Sequence, residues 1–484
     1  MTSEDLATFI ERRRRLVEAI GEGLAIVPAA SETVRNHDVH HPFRQASDFY
    51  FLTGFDEPDA VAVFNPAHAK ERFVLFVRPR DREMEIWTGH RAGVEGAVAS
   101  YGADAAYPLD QLDARLREYA IERPLLFYRL GNPAFDGRII RLVTELRAAR
   151  ARGFPAPVRI EDPSPIVHEL RLRRSPAELA RQRRACEISR DAHVEAMRYA
   201  RPGMHEYQVQ AAVEFVFRFQ GSPRDAYPSI VASGPNACIL HYVENQRRLE
   251  DGDLLLIDAG CEYGYHAADI TRTFPVNGRF TGPQRAVYEV VLRAQLAAIE
   301  AARPGVRYEV IHDAARRVLA EGLVELKLLP RNLADSLAMH HYREFFMHGT
   351  GHWLGMDVHD VGDYRVSRQS RVLEPGMVFT VEPGLYFDPE RETATYHLRE
   401  FSEDDMWERR LRLGMTAAKK LEDDEKAKAE KVTHPIPPEF RGIGVRIEDD
   451  VLVTGGGIDV LTAGAPKTID EVERTCREAP RLPR

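Results

Sequence analysis

The 484-residue chain predicts an α/β protein in two parts: an α/β domain over residues 1–170, then an α+β domain over 171–484 built from two similar halves. Three observations lead there. Short apolar runs alternate with helical segments through the first third of the chain. A breaker cluster, Glu161-Asp-Pro-Ser-Pro, then precedes Ser175-Pro-Ala-Glu178, which has the form of a capping box with proline at the first helical position. Beyond it, a helix capped by Ser175 stops at Ala200-Arg-Pro-Gly and a second, capped by Thr281, stops at Ala302-Arg-Pro-Gly. Each is followed by another amphipathic helix and then strands, and such a repeat predicts two halves facing each other across a pseudo-twofold axis.

Taken in order, Ala60-Val-Ala-Val-Phe and Phe73-Val-Leu-Phe-Val read as strands, and Leu109 to Tyr119 and Ile139 to Ala151 as helices. None of the candidate metal ligands falls in this first domain, so its expected role is assembly or covering the active site. In the second domain Leu254 to Asp258, Val378 to Tyr386 and Gly444 to Val453 are apolar, β-branched runs typical of strands. A carboxylate interrupts each: Asp258, Glu382 and Glu448.

A carboxylate inside an apolar strand loses hydration worth far more than one hydrogen bond returns, so it needs a cation beside it. Asp269 lies eleven positions beyond Asp258, and His352 sits in Met347-His-Gly-Thr-Gly-His-Trp. The resulting set is four carboxylates and one imidazole, and its four negative charges balance two divalent cations. Oxygen-dominated ligation with one histidine suits Mn²⁺ best, with Co²⁺ or Zn²⁺ as alternatives.

The order Asp, eleven on Asp, His-Gly-Thr-Gly-His-Trp, Val-Glu-Pro-Gly, Arg-Ile-Glu-Asp resembles the metallopeptidases of the pita-bread fold. Within them the chain is similar to the Xaa-Pro aminopeptidase (aminopeptidase P) family, peptidase family M24. The closer match rests on Ile257-Asp-Ala-Gly-Cys-Glu-Tyr, Asp269-Ile-Thr-Arg-Thr-Phe-Pro-Val-Asn-Gly, Phe346-Met-His-Gly and His352-Trp-Leu-Gly-Met-Asp-Val-His-Asp, and it extends to about residue 465. The resemblance implies a creatinase-like amino-terminal domain and a pita-bread carboxyl-terminal domain. It makes Asp258, Asp269, His352, Glu382 and Glu448 the metal ligands, with Asp269 and Glu448 bridging two ions. It implies catalytic roles for Glu382, as proton acceptor, and for His241 and His359, as stabilisers of the tetrahedral intermediate. Arg446, two residues before Glu448 on the same strand face, would orient the carboxylates, with Tyr386 as its partner. Substrate-binding roles fall to His348, on the proline side, to Tyr386 and to Trp87. Trp87 matches a family tryptophan that reaches a neighbouring subunit's site; a packed aromatic is an equal alternative. The implied substrates are peptides with proline at the second position, and the implied assembly is a homodimer or homotetramer.

Two metals can hold a shared water and lower its pKa enough to supply hydroxide near neutral pH. Hydrolysis of the bond before proline is then the expected reaction. A prolidase restricted to Xaa-Pro dipeptides is the alternative within the fold. A non-catalytic binding module is disfavoured because the chain retains all five ligands.

Composition excludes other classes. A net charge of −9, from 66 basic and 75 acidic residues, speaks against a nucleic-acid partner. Four cysteines without any Cys-x-x-Cys pair indicate free thiols in a reducing compartment, and no run reaches the roughly 18 apolar residues of a membrane helix, so a soluble cytoplasmic protein with no membrane partner is expected. His348 and His352 are four apart as in His-Glu-x-x-His zinc proteases, but the intervening Gly-Thr-Gly disfavours a helix and lacks the glutamate. Its Gly-x-Gly also lacks the strand-turn-helix context of a dinucleotide site. Cys261 reads as a thiol in a turn, His266, His340 and His341 as structural or surface residues, and Arg12 to Arg15 as a solvated helix face. Glu390 to about His434 reads as a charged insertion near the active-site rim, with a solvated helix expected over Met406 to Lys431.

Overall fold

In the amino-terminal unit, Met1–Ala177, a mixed sheet runs in the order Ala105–Pro108, Phe73–Val77, Val61–Phe64, Leu24–Pro28, Leu125–Phe127, Arg159–Glu161. The computed structural model describes residues 3–482 except 122, 151, 330, 331, 400 and 402; the helix end expected at Ala151 and the outermost residues of both expected domains lie outside these. Val61–Phe64 and Phe73–Val77 are buried at every position, which is why both runs are apolar without alternation. Helices Leu112–Ala120 and Pro133–Arg150 cover the sheet with Leu112, Leu116, Tyr119, Ile139, Leu142 and Leu146.

The helix Ser3–Ile20 corrects the expectation of a solvated arginine face. Arg14 and Arg15 are exposed, but Arg12 and Arg13 are buried. The Arg12 guanidinium lies 4.1 Å from the Phe51 ring and donates to Phe51 O at 3.0 Å, while Arg13 lies 4.2 Å from the Phe73 ring. Aromatic faces and a carbonyl take the place of water around these cations. Trp87, on the helix Arg82–Thr88, is 82 % exposed and is not a packed aromatic.

The carboxyl-terminal unit, Glu178–Arg484, runs twice through the same order of elements. Helices Pro176–Tyr199 and Glu206–Phe219 lead to an antiparallel sheet of Ile230–Ser233, Leu254–Asp258 and Thr271–Pro275. Helices Gly282–Ala301 and Glu309–Glu325 lead to an antiparallel sheet of Val378–Val381, Asp449–Thr454 and Gly457–Val460. Thr281 N donates to Gln284 Oε1 at 3.0 Å, the capping arrangement that starts the second pair. One core draws on both halves, including Ile257, Phe274, Val287, Leu385, Val445 and Ile447. Among the described residues no helix is long and apolar enough to cross a membrane.

Glu382 and Glu448 do not interrupt strands from within; they occupy gaps between them. Glu382 lies between Val378–Val381 and Gly384–Tyr386, and Glu448 between Gly444–Arg446 and Asp449–Thr454. Their amides leave the local ladder: Glu382 N donates to Thr350 O at 2.8 Å and Glu448 N to Thr271 O at 3.1 Å. Pro383, having no N–H, ends the first ladder. Arg446 and Glu448, two positions apart, line one cavity as alternate residues of a pleat do, although the ladder breaks between them.

Beneath Glu448, Arg272 and Asp449 form an ion pair at 2.7 Å with both side chains wholly buried. Lys467, Gln295 and Thr462 complete the donors around Asp449, and Arg272 Nη1 also donates to Glu448 O at 2.5 Å. The network is satisfied on both sides, as buried charge requires.

The segment expected to be one solvated helix is more elaborate. Thr393–His397 and Lys431–Pro435 pair as an antiparallel ribbon carrying two helices, Glu403–Leu413 and Met415–Lys428, separated at Gly414 with φ +80°. Ala394 and Tyr396 are buried in the main core, and Tyr396 OH donates to Leu328 O at 2.8 Å. Cys261 is also corrected: it is buried on the strand Cys261–Tyr263, with Sγ 3.5 Å from Ala185 O.

Candidate metal centre

A cavity of about 760 Å³ gathers Asp258, Asp269, His352, Glu382 and Glu448 from both halves of the carboxyl-terminal unit. Asp258 ends the strand Leu254–Asp258, and Asp269 lies just before Thr271–Pro275, so adjacent strands deliver both. His352 comes from the glycine-containing loop, which is not helical. Gly351 is required there, since a Cβ would stand 1.9 Å from Thr380 O. The close approach lets Thr380 N donate to His352 O at 2.9 Å, registering the loop against the strand that ends at Val381.

Donor atoms of Asp269, His352 and Glu448 all lie within 4.8 Å of one another. His352 Nε2 is 3.4 Å from Asp269 Oδ2 and 3.6 Å from Glu382 Oε1. Its Nδ1 lies 3.1 Å from Trp353 O, so that nitrogen carries a proton and Nε2 is the one presented to the carboxylates. Asp258 and Asp269 share the Tyr227 hydroxyl at 2.7 and 2.5 Å. Thr271 Oγ1 donates to Glu448 Oε2 at 2.6 Å. Sequence reasoning singled out neither Tyr227 nor Thr271. Tyr227 precedes Pro228 with no local pattern to mark it, although Thr271 lies inside the Asp269 motif.

The electrostatics are those of a cation site. Burial, with Asp269, Glu382 and Asp258 nearby, holds the Glu448 carboxyl far above its ordinary range. Burial lifts Glu382 to about 7 against the opposing charges of His352 and Arg446. Asp258 is raised by burial against the pull of Arg446. For Asp269 burial is outweighed by His352 and Tyr227, and the carboxyl is lowered. Burial would depress His352, but Asp269 and Glu382 outweigh it and hold the imidazole up to about 9. Four such carboxylates cannot all ionise together without a cation, so the donor set fits a divalent metal.

A second chain of contacts leads away from the carboxylates. Arg446 Nη2 is 2.5 Å from Asp258 Oδ2, and Arg446 Nη1 donates to Tyr386 OH at 3.0 Å. Tyr386 OH donates in turn to His348 Nε2 at 2.9 Å, because His348 Nδ1 is committed to Gly349 O at 2.7 Å. His359 packs edge-on against His352 at 4.2 Å, and both His359 and His241 line the cavity beside apolar Ile230, Leu240, Val243 and Val358. The cavity lining comes from residues 227–448, and Trp87 is not among it. His266 and His341, buried at 2 and 3 % exposure, are structural.

Comparison with known proteins agrees with this geometry. The model of metallopeptidase family M24 matches residues 180–455, and that of the aminopeptidase P amino-terminal domain matches residues 9–127. The chain is 40 % identical over 468 residues to the Xaa-Pro aminopeptidase of Escherichia coli K12, covering 96 % of each. It is 33 % identical over 448 residues to human Xaa-Pro aminopeptidase 3, covering 92 % of this chain and 79 % of that one. Among solved structures, Pseudomonas aeruginosa aminopeptidase PepP superposes with a TM-score of 0.86 at 43 % identity, covering 97 % of this chain and 98 % of that one. Zinc-substituted E. coli aminopeptidase P in complex with product superposes with a TM-score of 0.85 at 39 % identity, covering 98 and 99 %.

Proposed function

The chain belongs to metallopeptidase family M24, with an aminopeptidase P amino-terminal domain ahead of a pita-bread domain, and from that premise we infer its reaction and the residues that perform it. It is a metal-dependent Xaa-Pro aminopeptidase, hydrolysing the bond between an amino-terminal residue and a following proline. The observation that carries the residue assignments is the convergence of Asp258, Asp269, His352, Glu382 and Glu448 in one cavity with His348, His241, His359 and Arg446.

We assign those five residues to two divalent ions, Mn²⁺ before Co²⁺ or Zn²⁺, because one imidazole among four carboxylates is a hard, oxygen-rich donor set. When bound, the metal supplies Lewis-acid polarisation and activates water for attack. Glu382 accepts the proton lost by the attacking water and returns it to the leaving amine. To His241 and His359, which line the same cavity, we assign stabilisation of the oxyanion that develops on the scissile carbonyl. Arg446 holds Asp258, and through Tyr386 it fixes the orientation of His348, which faces the proline side.

The amino-terminal domain, taken as residues 1–170, serves assembly or site cover, with Trp87 offered to a second copy in a homodimer or homotetramer. Residues 171–484 form the catalytic domain. All four cysteines are unpaired, which supports a reducing, cytoplasmic setting. The test combines elemental analysis of metal per chain with turnover of an Xaa-Pro dipeptide and an Xaa-Pro-Ala tripeptide. Two metals per chain and efficient tripeptide cleavage are expected; turnover of the dipeptide alone would make the enzyme a prolidase.

A further inference from the structure

We propose that Glu206, a residue outside the cavity, is the positioning residue for the segment that carries His241, and that its carboxylate governs turnover through that histidine. The proposal rests on the assignment of His241 to the reaction. His241 lies in an irregular stretch between the turn Gly234–Cys238 and the strand Leu254–Asp258. Beyond residue 244 the stretch is tied down, by the bridge of Arg248 to His205 and by buried Asn245, which bonds to Val231 N, Ser229 O and Gln210. Around His241 itself no strand pairing holds the chain, and the exposed His241 side chain makes no hydrogen bond with the described residues, so only the chain on either side can fix its place.

One buried carboxylate is bonded to the chain on both sides of His241. Glu206 opens the helix Glu206–Phe219 and is 0 % exposed. Its Oε1 accepts from Ser233 N at 2.7 Å, Ser233 Oγ at 2.7 Å and Asn236 Nδ2 at 3.1 Å, all before the loop. Its Oε2 accepts from Tyr242 OH at 2.8 Å, beside His241, and from Arg247 N at 2.8 Å, farther along the same stretch. Tyr242 turns inward to pack with Ile230, Leu256 and Tyr386, and this inward turn leaves its neighbour His241 facing the cavity.

The chemistry requires a carboxylate. Five donors fill the acceptor positions of two oxygens, and the amino end of the helix favours the negative charge. Glutamine would offer a single oxygen and set its NH₂ against the backbone N–H of Ser233 or Arg247, neither of which can accept. The loop would have to move, and small displacements of a reacting group are costly in rate.

The test is a double-mutant cycle on the full chain with metal added, measuring kcat and KM for an Xaa-Pro-Ala tripeptide and metal affinity by calorimetry. Glu206→Gln should lower kcat by about tenfold or more while leaving metal affinity within about twofold, and Glu206→Asp should restore part of the loss. In a His241→Ala background, Glu206→Gln should cost less than about twofold further, because its effect runs through the missing imidazole. Tyr242→Phe removes one donor of the five, keeps the carboxylate, and carries the same cycle if Glu206→Gln does not fold. A Glu206→Gln loss that persists in full without His241, or no loss at all, would overturn the proposal. A His241→Ala enzyme with unchanged kcat would instead remove the assignment of His241 on which it stands.

Discussion

Arg446 Nη2 meets Asp258 Oδ2 at 2.5 Å, joining residues 188 positions apart on strands of opposite halves. Thr271 Oγ1 and Tyr386 OH lie at 3.1 and 3.0 Å from the same guanidinium. The contact thus links the carboxylate cluster to the chain ending at His348. Truncating one partner leaves the other charge buried and unpaired. Arg446→Ala should therefore destabilise the protein by about 3–5 kcal/mol. Arg446→Lys keeps the charge but not the planar fork, and should lose turnover with a smaller loss of stability. Denaturant unfolding of both variants beside tripeptide kinetics checks the pair.

Metal binding should release protons. Without a cation, His352 stays protonated up to about 9, and Glu448 keeps its proton far above the usual carboxylate range. A ligated imidazole and carboxylate must give those protons up, and Glu382, lifted to about 7, gives up part of another, so loading at pH 7 should release about two to three protons per centre. Calorimetry in buffers of different ionisation enthalpy measures the number. A binding enthalpy independent of buffer would contradict the electrostatics described for the cavity.

Stability should decline on the acid side of neutrality. His193 and His312 are each held down to about 4, chiefly by burial. An unfolded histidine titrates near 6.5, so between about 6.5 and 4 the unfolded chain binds protons that the folded chain refuses. The contribution is full above this window and is lost as pH falls through it, each histidine adding a slope of about 1.4 kcal/mol per pH unit. His312→Gln should flatten the slope of unfolding free energy between pH 6.5 and 4 by about that amount.

The ribbon at 393–435 should divide into a structural root and a dispensable tip. Tyr396 is 1 % exposed and tied to Leu328, so Tyr396→Ala should cost about 3–5 kcal/mol. In the helical tip Trp407, Leu411 and Leu413 are 54, 81 and 51 % exposed. Replacing residues 403–428 with a short turn should leave stability within about 1 kcal/mol, since loop length alone has a small effect. Chemical denaturation of the two variants distinguishes root from tip.

The gathering of these side chains in one cavity was legible because buried carboxylates are expensive: Asp258, Glu382 and Glu448 stood out against apolar runs, and Asp269 and His352 completed a recognisable order. The two halves were legible from their repeated helix stops. The strand breaks at Glu382 and Glu448 were not, because their amides bond to distant Thr350 and Thr271 rather than to neighbours in sequence. Tyr227 was missed for a related reason, since its hydroxyl acquires meaning only where two strands bring Asp258 and Asp269 together. The burial of Arg12 and Arg13 likewise depends on Phe51 and Phe73, which no helical periodicity reveals.

The most direct measurement is hydrolysis of an Xaa-Pro-Ala tripeptide and an Xaa-Ala-Ala control, with divalent metal and with chelator, by the wild type and by Asp269→Asn. Cleavage of the proline peptide alone, dependent on metal and lost in the variant, is the predicted result. Equal cleavage of both peptides, or full activity with chelator or in Asp269→Asn, would contradict a metal-dependent Xaa-Pro aminopeptidase built on this cluster.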